Sequence, residues 1–112
     1  MFRAVNDYLA KLNIVTDPSI YDAMEDFLKK TKTVLDYSIN INYNRYIVDI
    51  KLDKYSISRA DKFFRKFEAA VAYPYSNISV RYNEVNRVRY RFATCREDKT
   101  GVYMDIIISG NQ

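Results

Sequence analysis

Arginines are the side chains whose type and spacing in this chain most clearly suggest a chemistry. Five of them lie between Ser76 and Arg96, a stretch whose one acidic residue is Glu84. A guanidinium presents a planar fork of N–H donors that matches the oxygens of phosphate and carboxylate groups. Like charges packed together destabilise an isolated fold, and an anionic partner relieves that repulsion. The pattern therefore predicts a binding surface for nucleic acid or for an acidic protein.

Apolar residues alternate with these arginines in a way that predicts strands with the arginines on one face. The apolar positions are even-numbered, namely Ile78, Val80, Tyr82, Val88, Tyr90, Phe92, Val102, Met104, Ile106 and Ile108. If a three-residue turn, Glu84-Val85-Asn86, joins the first two strands, Tyr82 lies opposite Val88 and the even side chains all point inward. The outward residues and the arginine that follows them then form the predicted binding set. It consists of Arg81, Arg87, Arg89, Arg91, Arg96, Tyr103 and Ile107.

The residue types exclude most enzyme classes. The chain has no histidine, one cysteine, Cys95, and two glycines. Without histidine, Ser–His–Asp and Cys–His catalysis and the histidine zinc motifs are excluded. One cysteine cannot build a thiolate metal site, and two glycines cannot form a glycine-rich phosphate loop. We therefore expect a non-enzymatic protein without a cofactor or a bound metal.

A second alternating pattern predicts a hairpin earlier in the chain. Every second residue from Leu35 to Tyr43 is apolar, and the phase inverts so that every second residue from Tyr46 to Leu52 is apolar. A two-residue turn at Asn44-Arg45 would set Tyr43 opposite Tyr46 and keep all of these apolar residues on one face. The same register would set Asp36 opposite Asp53.

The polar face of this hairpin carries a weak catalytic motif. Asp36 together with Asp49-Ile50-Lys51 resembles the PD-(D/E)xK nuclease pattern, and the resemblance implies Mg²⁺-dependent cleavage of nucleic acid. In the predicted register, Asp49 lies about 13 Å along the strands from Asp36, at about 3.3 Å per residue. That separation is too large for one Mg²⁺ to be shared. Asp36, Lys51 and Asp53 could cluster instead, so a Mg²⁺-dependent nuclease is kept as the third hypothesis.

Three helical patterns complete the expected fold. Apolar residues three and four apart predict helices over Phe2 to Leu12, over Pro18 to about Thr33, and from Ser56 or Ser58 to just before Pro74. Asp17 is a suitable N-cap for the second helix, and Pro18 suits its first position. The element order is ααββαβββ. It predicts an α+β fold with a mainly antiparallel sheet of about five strands and with helices packed on one face.

Length and composition limit the organisation of the protein. A chain of 112 residues with 48% hydrophobic and 29% charged residues fits a single globular domain over residues 1–112. The longest apolar stretch, Ala69 to Tyr73, is far below the ~20 residues that cross a bilayer. A single cysteine cannot form an internal disulfide, which favours a reducing, cytoplasmic location.

The functional hypotheses follow from the arginine-bearing sheet face. The first is a non-enzymatic module that binds nucleic acid or a nucleic-acid-binding protein. The alternative is a small inhibitor of the anti-CRISPR-like kind that mobile elements and phages direct against host nucleases or defence complexes, acting by surface occlusion. Small size, missing catalytic groups and a Tyr, Asn, Ile and Lys bias typical of AT-rich genomes favour it. Outward-facing Ile47 and Ile107 predict that a partner or a second copy covers part of the sheet face or its edge.

Overall fold

The computed structural model describes residues 13–72 and 76–111. Within these ranges the elements are β1 (Asn13–Ile14), α1 (Pro18–Lys30), β2 (Val34–Asn42), β3 (Arg45–Leu52), α2 (Ile57–Ala72), β4 (Ser76–Glu84), β5 (Arg87–Cys95) and β6 (Thr100–Gly110). The helix predicted over Phe2 to Leu12 lies outside the described residues. In the described part of the chain, no helix is long and apolar enough to cross a membrane.

The strands form one mixed sheet in the order β2-β3-β6-β5-β4, and β1 pairs with the beginning of β6. The β2–β3, β4–β5 and β5–β6 pairs are antiparallel, whereas β6 runs parallel to both β3 and β1. The predicted α+β fold with a mainly antiparallel sheet is confirmed. One more strand is present than expected, because the two-residue β1 is too short to show an alternating pattern.

The core lies between one face of the sheet and the two described helices. The even-numbered side chains of β3, β5 and β6 point towards the helices, and Val48, Val88 and Ile106 among them are fully buried. Apolar side chains at helical spacing close the core from the other side, and these are Ile20, Met24, Leu28, Ala60, Phe63, Phe64, Phe67 and Val71. The opposite face of the sheet, which bears the odd-numbered residues of β3, β5 and β6, is called the outer sheet face below.

Both described helices begin at the capping residues that the sequence offers. The Asp17 carboxylate accepts the Ser19 backbone N–H at 2.9 Å, and Pro18 occupies the first turn of α1. The Ser56 hydroxyl accepts the backbone N–H of Arg59 at 3.1 Å and thereby caps α2. Helix α1 ends at Lys30, earlier than expected, where the Thr31 hydroxyl donates to the Phe27 carbonyl oxygen at 2.7 Å.

The first hairpin has a different turn from the predicted one. Tyr43 and Asn44 form the turn with φ values of 51° and 63°, and Asn42 pairs with Arg45. The register is therefore shifted by two residues, so that Asp36 lies opposite Lys51. A shift of two keeps Tyr37, Ile39 and Ile41 on their predicted face, because side chains alternate with a period of two. The prediction is wrong for Leu35, which is 55% exposed beside a register irregularity, and for Tyr43, which lies in the turn. The sequence does not predict this turn, because a bulky residue such as Tyr43 seldom adopts a positive φ.

In the second hairpin, β4 has the opposite orientation to the predicted one. Its turn is the two-residue Val85-Asn86, with Asn86 at a φ of 62°, so Tyr82 lies opposite Arg89 and Arg81 lies opposite Tyr90. This register differs by one residue from the predicted one, and a one-residue slip turns a strand over. The prediction that even-numbered residues point inward holds for β5 and β6 but is wrong for β4. Arg81 therefore faces the helices.

Candidate functional site

The outer sheet face brings together most of the predicted binding set. Adjacent strands place Tyr103 between Arg45 and Ala93, Asp105 between Ile47 and Arg91, and Ile107 between Asp49 and Arg89. Arg87 lies at the end of the same face, opposite Ser109. The predicted residues that meet on this face are thus Arg87, Arg89, Arg91, Tyr103 and Ile107.

The guanidiniums on this face have carboxylate neighbours. Asp105 is only 3% exposed and lies between Arg45, whose Nη1 is 3.5 Å from Oδ2, and Arg91, whose Nε is 3.9 Å from Oδ1. Glu84 lies 2.8 Å from the Nε of Arg87 and 3.6 Å from the Nε of Arg89. Four guanidiniums therefore share two carboxylates, and the positive charge of the face is partly neutralised within the fold.

Aromatic rings on the outer sheet face are covered by arginine. The Arg45 guanidinium lies 5.7 Å from the centroid of the half-buried Tyr103 ring, and the Arg89 guanidinium lies 5.9 Å from that of Tyr82. Such contacts are favourable cation–π arrangements. Burial and the neighbouring Asp105 carboxylate raise the pKa of Tyr103, so its hydroxyl is neutral at physiological pH. These rings are engaged within the protein and are poorly placed to stack on a ligand.

Arg81 belongs to a different cluster from the one predicted. Its guanidinium pairs with the Asp61 carboxylate of α2, and the Tyr90 hydroxyl donates to the other oxygen of Asp61 at 2.5 Å. Burial and this hydrogen bond strongly raise the pKa of Tyr90. The expectation that Arg81 joins the other arginines is therefore wrong, because the turned β4 directs it to a carboxylate on the helix side. The cluster holds α2 against β4 and β5.

Arg96 is also separate from the outer sheet face. Its guanidinium pairs with Asp17, the N-cap of α1. The Tyr46 hydroxyl accepts the Asp17 backbone N–H at 3.0 Å and donates to the Asp17 carbonyl oxygen at 3.2 Å. Arg96 thus helps to hold the beginning of α1 against the sheet.

The nuclease-like residues are closer together than predicted. Asp36 lies opposite Lys51, and Asp49 lies opposite Ser38, so the two carboxylates occupy diagonal positions on neighbouring strands. The predicted separation of about 13 Å is therefore wrong, since it depended on the earlier register. Asp36, Asp49 and Lys51 border a small hollow of about 120 Å³. Across residues 13–72 and 76–111, no group of three or more His, Cys, Asp or Glu side chains is placed to hold a metal ion.

A cationic groove that the sequence analysis missed lies between the end of α1 and α2. Arg59, Lys62 and Lys66 project from α2 at spacings of three and four residues, and Lys54 precedes the helix. Together with an apolar floor, they line a space of about 340 Å³ that we call the cation-rimmed groove. The floor consists of Phe27, Leu52 and Phe63, of which Phe27 is half-buried.

The rim cations form no ion pairs with the described residues, unlike the two lysines at the end of α1. No carboxylate of the described residues lies within ion-pair distance of Lys54, Arg59, Lys62 or Lys66. On α1, by contrast, Lys29 pairs with Glu25 at 3.3 Å and Lys30 pairs with Asp26 at 3.0 Å. The cation-rimmed groove therefore retains a positive charge that no described side chain neutralises directly.

Among the nearby acids, Asp53 offsets part of this charge. Asp53 also lines the groove, where its carboxylate accepts the Lys54 backbone N–H at 2.7 Å. On α2, the Asp61 carboxylate is paired with Arg81. The helical spacing of Arg59, Lys62 and Lys66 could have indicated one cationic helix face. The addition of Lys54 and an aromatic floor depends on the tertiary fold.

Comparison of the chain with protein-family models, curated proteins and solved structures gave no match. Its function is therefore inferred from the chemistry of the described surfaces.

Proposed function

We propose that the protein is a non-enzymatic module that binds nucleic acid, and that phosphates are contacted by the cation-rimmed groove. The observation that carries the proposal is the set of four exposed cations, Lys54, Arg59, Lys62 and Lys66, without a carboxylate partner among the described residues. Nucleic-acid phosphates provide anions in a row, and their neutralisation releases bound counterions. This gives a favourable contribution to binding that requires no catalytic group.

The arrangement of the cations on α2 destabilises the isolated protein. Lys62 and Lys66 are four residues apart, and like charges at that spacing destabilise a helix by about 0.2–0.5 kcal/mol. The lysines of α1 avoid this cost through their acidic partners, Glu25 and Asp26. An anion bound at the rim supplies the missing counter-charge. Long, exposed lysine side chains can also adjust to the path of a phosphate backbone.

The cationic surface continues beyond the groove, which favours a polymer over a small anion. Lys62 also borders an open hollow of about 540 Å³, which is lined as well by Ile57, Ser58, Arg65 and the carboxylate-bearing Asp61. Arg65 has no carboxylate of the described residues within ion-pair distance either. A chain of phosphates can contact the groove and this hollow together.

The outer sheet face is a weaker candidate for the same role. Arg87 and Arg89 share Glu84, while Arg91 and Arg45 share Asp105, so an incoming phosphate must compete with carboxylates already present. Binding by Arg87, Arg89, Arg91, Tyr103 and Ile107 stays a prediction. The cytoplasmic location expected from the single cysteine likewise stays a prediction.

Paired charge variants test the proposal. Fluorescence anisotropy with labelled oligonucleotides over a KCl series measures both the affinity and its salt dependence. We expect the double substitution Lys62→Ala, Lys66→Ala to weaken binding and to reduce the slope of log K against log[KCl] by about 1.4 for a single strand, at about 0.7 per lost phosphate contact. The matched control, Lys29→Ala with Lys30→Ala, removes the same charge from α1. Equal losses in the two variants would contradict a role for the groove, as would binding that is insensitive to salt.

A second candidate function is the inhibition of another protein by surface occlusion. It is favoured by apolar side chains at the tip of the first hairpin, where Ile41 is 56% exposed and Tyr43 is 95% exposed. Ile41 also borders a hollow of about 250 Å³ with Pro18 and Tyr21. A tagged pull-down from the producing cell, with and without nuclease treatment, separates the two functions. A partner that survives nuclease treatment and is lost on Tyr43→Ser would support the inhibitor, whereas recovery of nucleic acid supports the first proposal.

A further inference from the structure

We infer that the cation-rimmed groove takes single-stranded nucleic acid, with one base lying on its aromatic floor. This inference rests on the proposed function and adds to it the form of nucleic acid that is bound. It combines two properties of the groove that a phosphate-binding surface alone does not require, namely a recessed floor and aromatic side chains in that floor.

The aromatic floor is held in a fixed orientation. The Phe27 ring packs edge-to-face on Phe63, with centroids 5.6 Å apart, and edge-to-face on Phe67, with centroids 5.9 Å apart. Phe63 and Phe67 are buried, whereas Phe27 at the groove is half-buried. Phe27 therefore offers part of a ring whose position is set by the core. Aromatic rings fixed beside cations are the usual means of binding single strands without sequence preference, because every base has a π-face.

The shape of the groove discriminates against a duplex. A duplex keeps its bases stacked inside and presents its phosphates and the edges of the base pairs. It can approach Lys54, Arg59, Lys62 and Lys66 on the rim but cannot place a base on Phe27. A single strand can unstack one base at low cost and make both contacts. A space of about 340 Å³ is also at the small end of the range for sites that enclose a small organic group.

The outer sheet face lacks this combination. Its Tyr103 and Tyr82 rings have arginine guanidiniums over them, and its arginines have carboxylate neighbours. An acidic peptide carrying an apolar side chain is the other occupant that matches the charge and the floor of the groove. It differs from a single strand in having no dependence on nucleobases, so the experiment can separate the two.

The experiment compares ligands on the unchanged protein. Three labelled probes are used at one KCl concentration, namely a thymidine oligonucleotide, an abasic oligonucleotide of equal length and a duplex of equal length. We expect the thymidine strand to bind about tenfold or more tightly than the abasic strand, in line with the contribution of one stacked base. Phe27→Leu keeps an apolar side chain against Phe63 but removes the ring, so it should weaken binding of the thymidine strand and leave the abasic strand unaffected.

The outcomes distinguish the single-strand inference from the proposed binding of nucleic acid. Equal affinity for the thymidine strand, the abasic strand and the duplex would overturn the single-strand inference and leave charge-driven nucleic-acid binding intact. Failure of all three probes to bind would overturn both. Tighter binding of a poly-glutamate peptide than of every oligonucleotide would also overturn both and indicate a protein partner. An equal loss for all probes on Phe27→Leu would show that the substitution only disturbs the packing of the floor, and would overturn the inference that a base lies on Phe27.

Discussion

The hydroxyl of Tyr90 contacts α2, and its removal measures how much one hydrogen bond contributes to the packing of α2 on the sheet. It donates to Asp61 at 2.5 Å, while the ring stacks on Phe64 with centroids 4.0 Å apart. Tyr90→Phe keeps the stacking and removes only the hydrogen bond. Since hydrogen bonds to charged groups contribute about 1.5–3 kcal/mol and Asp61 retains Arg81, we expect a loss of about 1–2 kcal/mol in the free energy of unfolding, measured in urea.

A matched substitution at an exposed tyrosine controls for the loss of a hydroxyl as such. Tyr43 is 95% exposed, so Tyr43→Phe should change the free energy of unfolding by less than about 0.5 kcal/mol. Equal effects of the two substitutions would mean that the Asp61 contact adds nothing to stability. For individual residues, the sequence indicated which charged side chains form contacts but not which carboxylates they contact. Arg81 and Arg96 were expected on an anion-binding face, and each instead pairs with a carboxylate more than fifteen residues away in the chain.

The first hairpin turn is an element that the sequence makes less stable than it could be. Tyr43 and Asn44 both adopt positive φ, which an aromatic side chain tolerates poorly and which Asn-Gly satisfies well. Replacement by Tyr43→Asn with Asn44→Gly should raise the free energy of unfolding by about 1 kcal/mol, because the strain at residue 43 is removed. Val85→Asn is the control, since Val85 is also exposed but has no positive φ; a similar gain there would contradict the explanation.

Among the elements, the caps and the faces of buried strands could be predicted, whereas strand registers could not. The Asp17-Pro18 start of α1 and the inward side chains of β3, β5 and β6 follow directly from residue spacing. The register of a hairpin depends on its turn, and both turns contain positive-φ residues that the sequence marks weakly. For this reason the predicted register of the edge strand β4 was wrong by one residue, and its two faces were exchanged. In the observed orientation, Arg81 pairs with Asp61 on α2.

Over the whole molecule, the excess positive charge is distributed differently from what the sequence indicates. The second half of the chain holds the excess, and its most concentrated run lies in β4 and β5. The fold brings Asp105 to that run, which already contains Glu84, while it leaves the cations of α2 and Lys54 without such partners. The sequence could therefore predict an excess of positive charge but not the surface that carries the unpaired cations, because charge neutralisation depends on contacts between distant residues.

The location of the bound strand can be measured directly by NMR. Isotope-labelled protein is titrated with a short single-stranded oligonucleotide at low salt, and the chemical shifts of the backbone amides and of the phenylalanine rings are followed. If the cation-rimmed groove is the binding site, the shifts concentrate at Lys54, Arg59, Lys62 and Lys66 and at the ring of Phe27. Shifts concentrated at Arg87, Arg89 and Arg91, with no shifts in the groove, would contradict binding at the groove and would indicate that the outer sheet face is the interface.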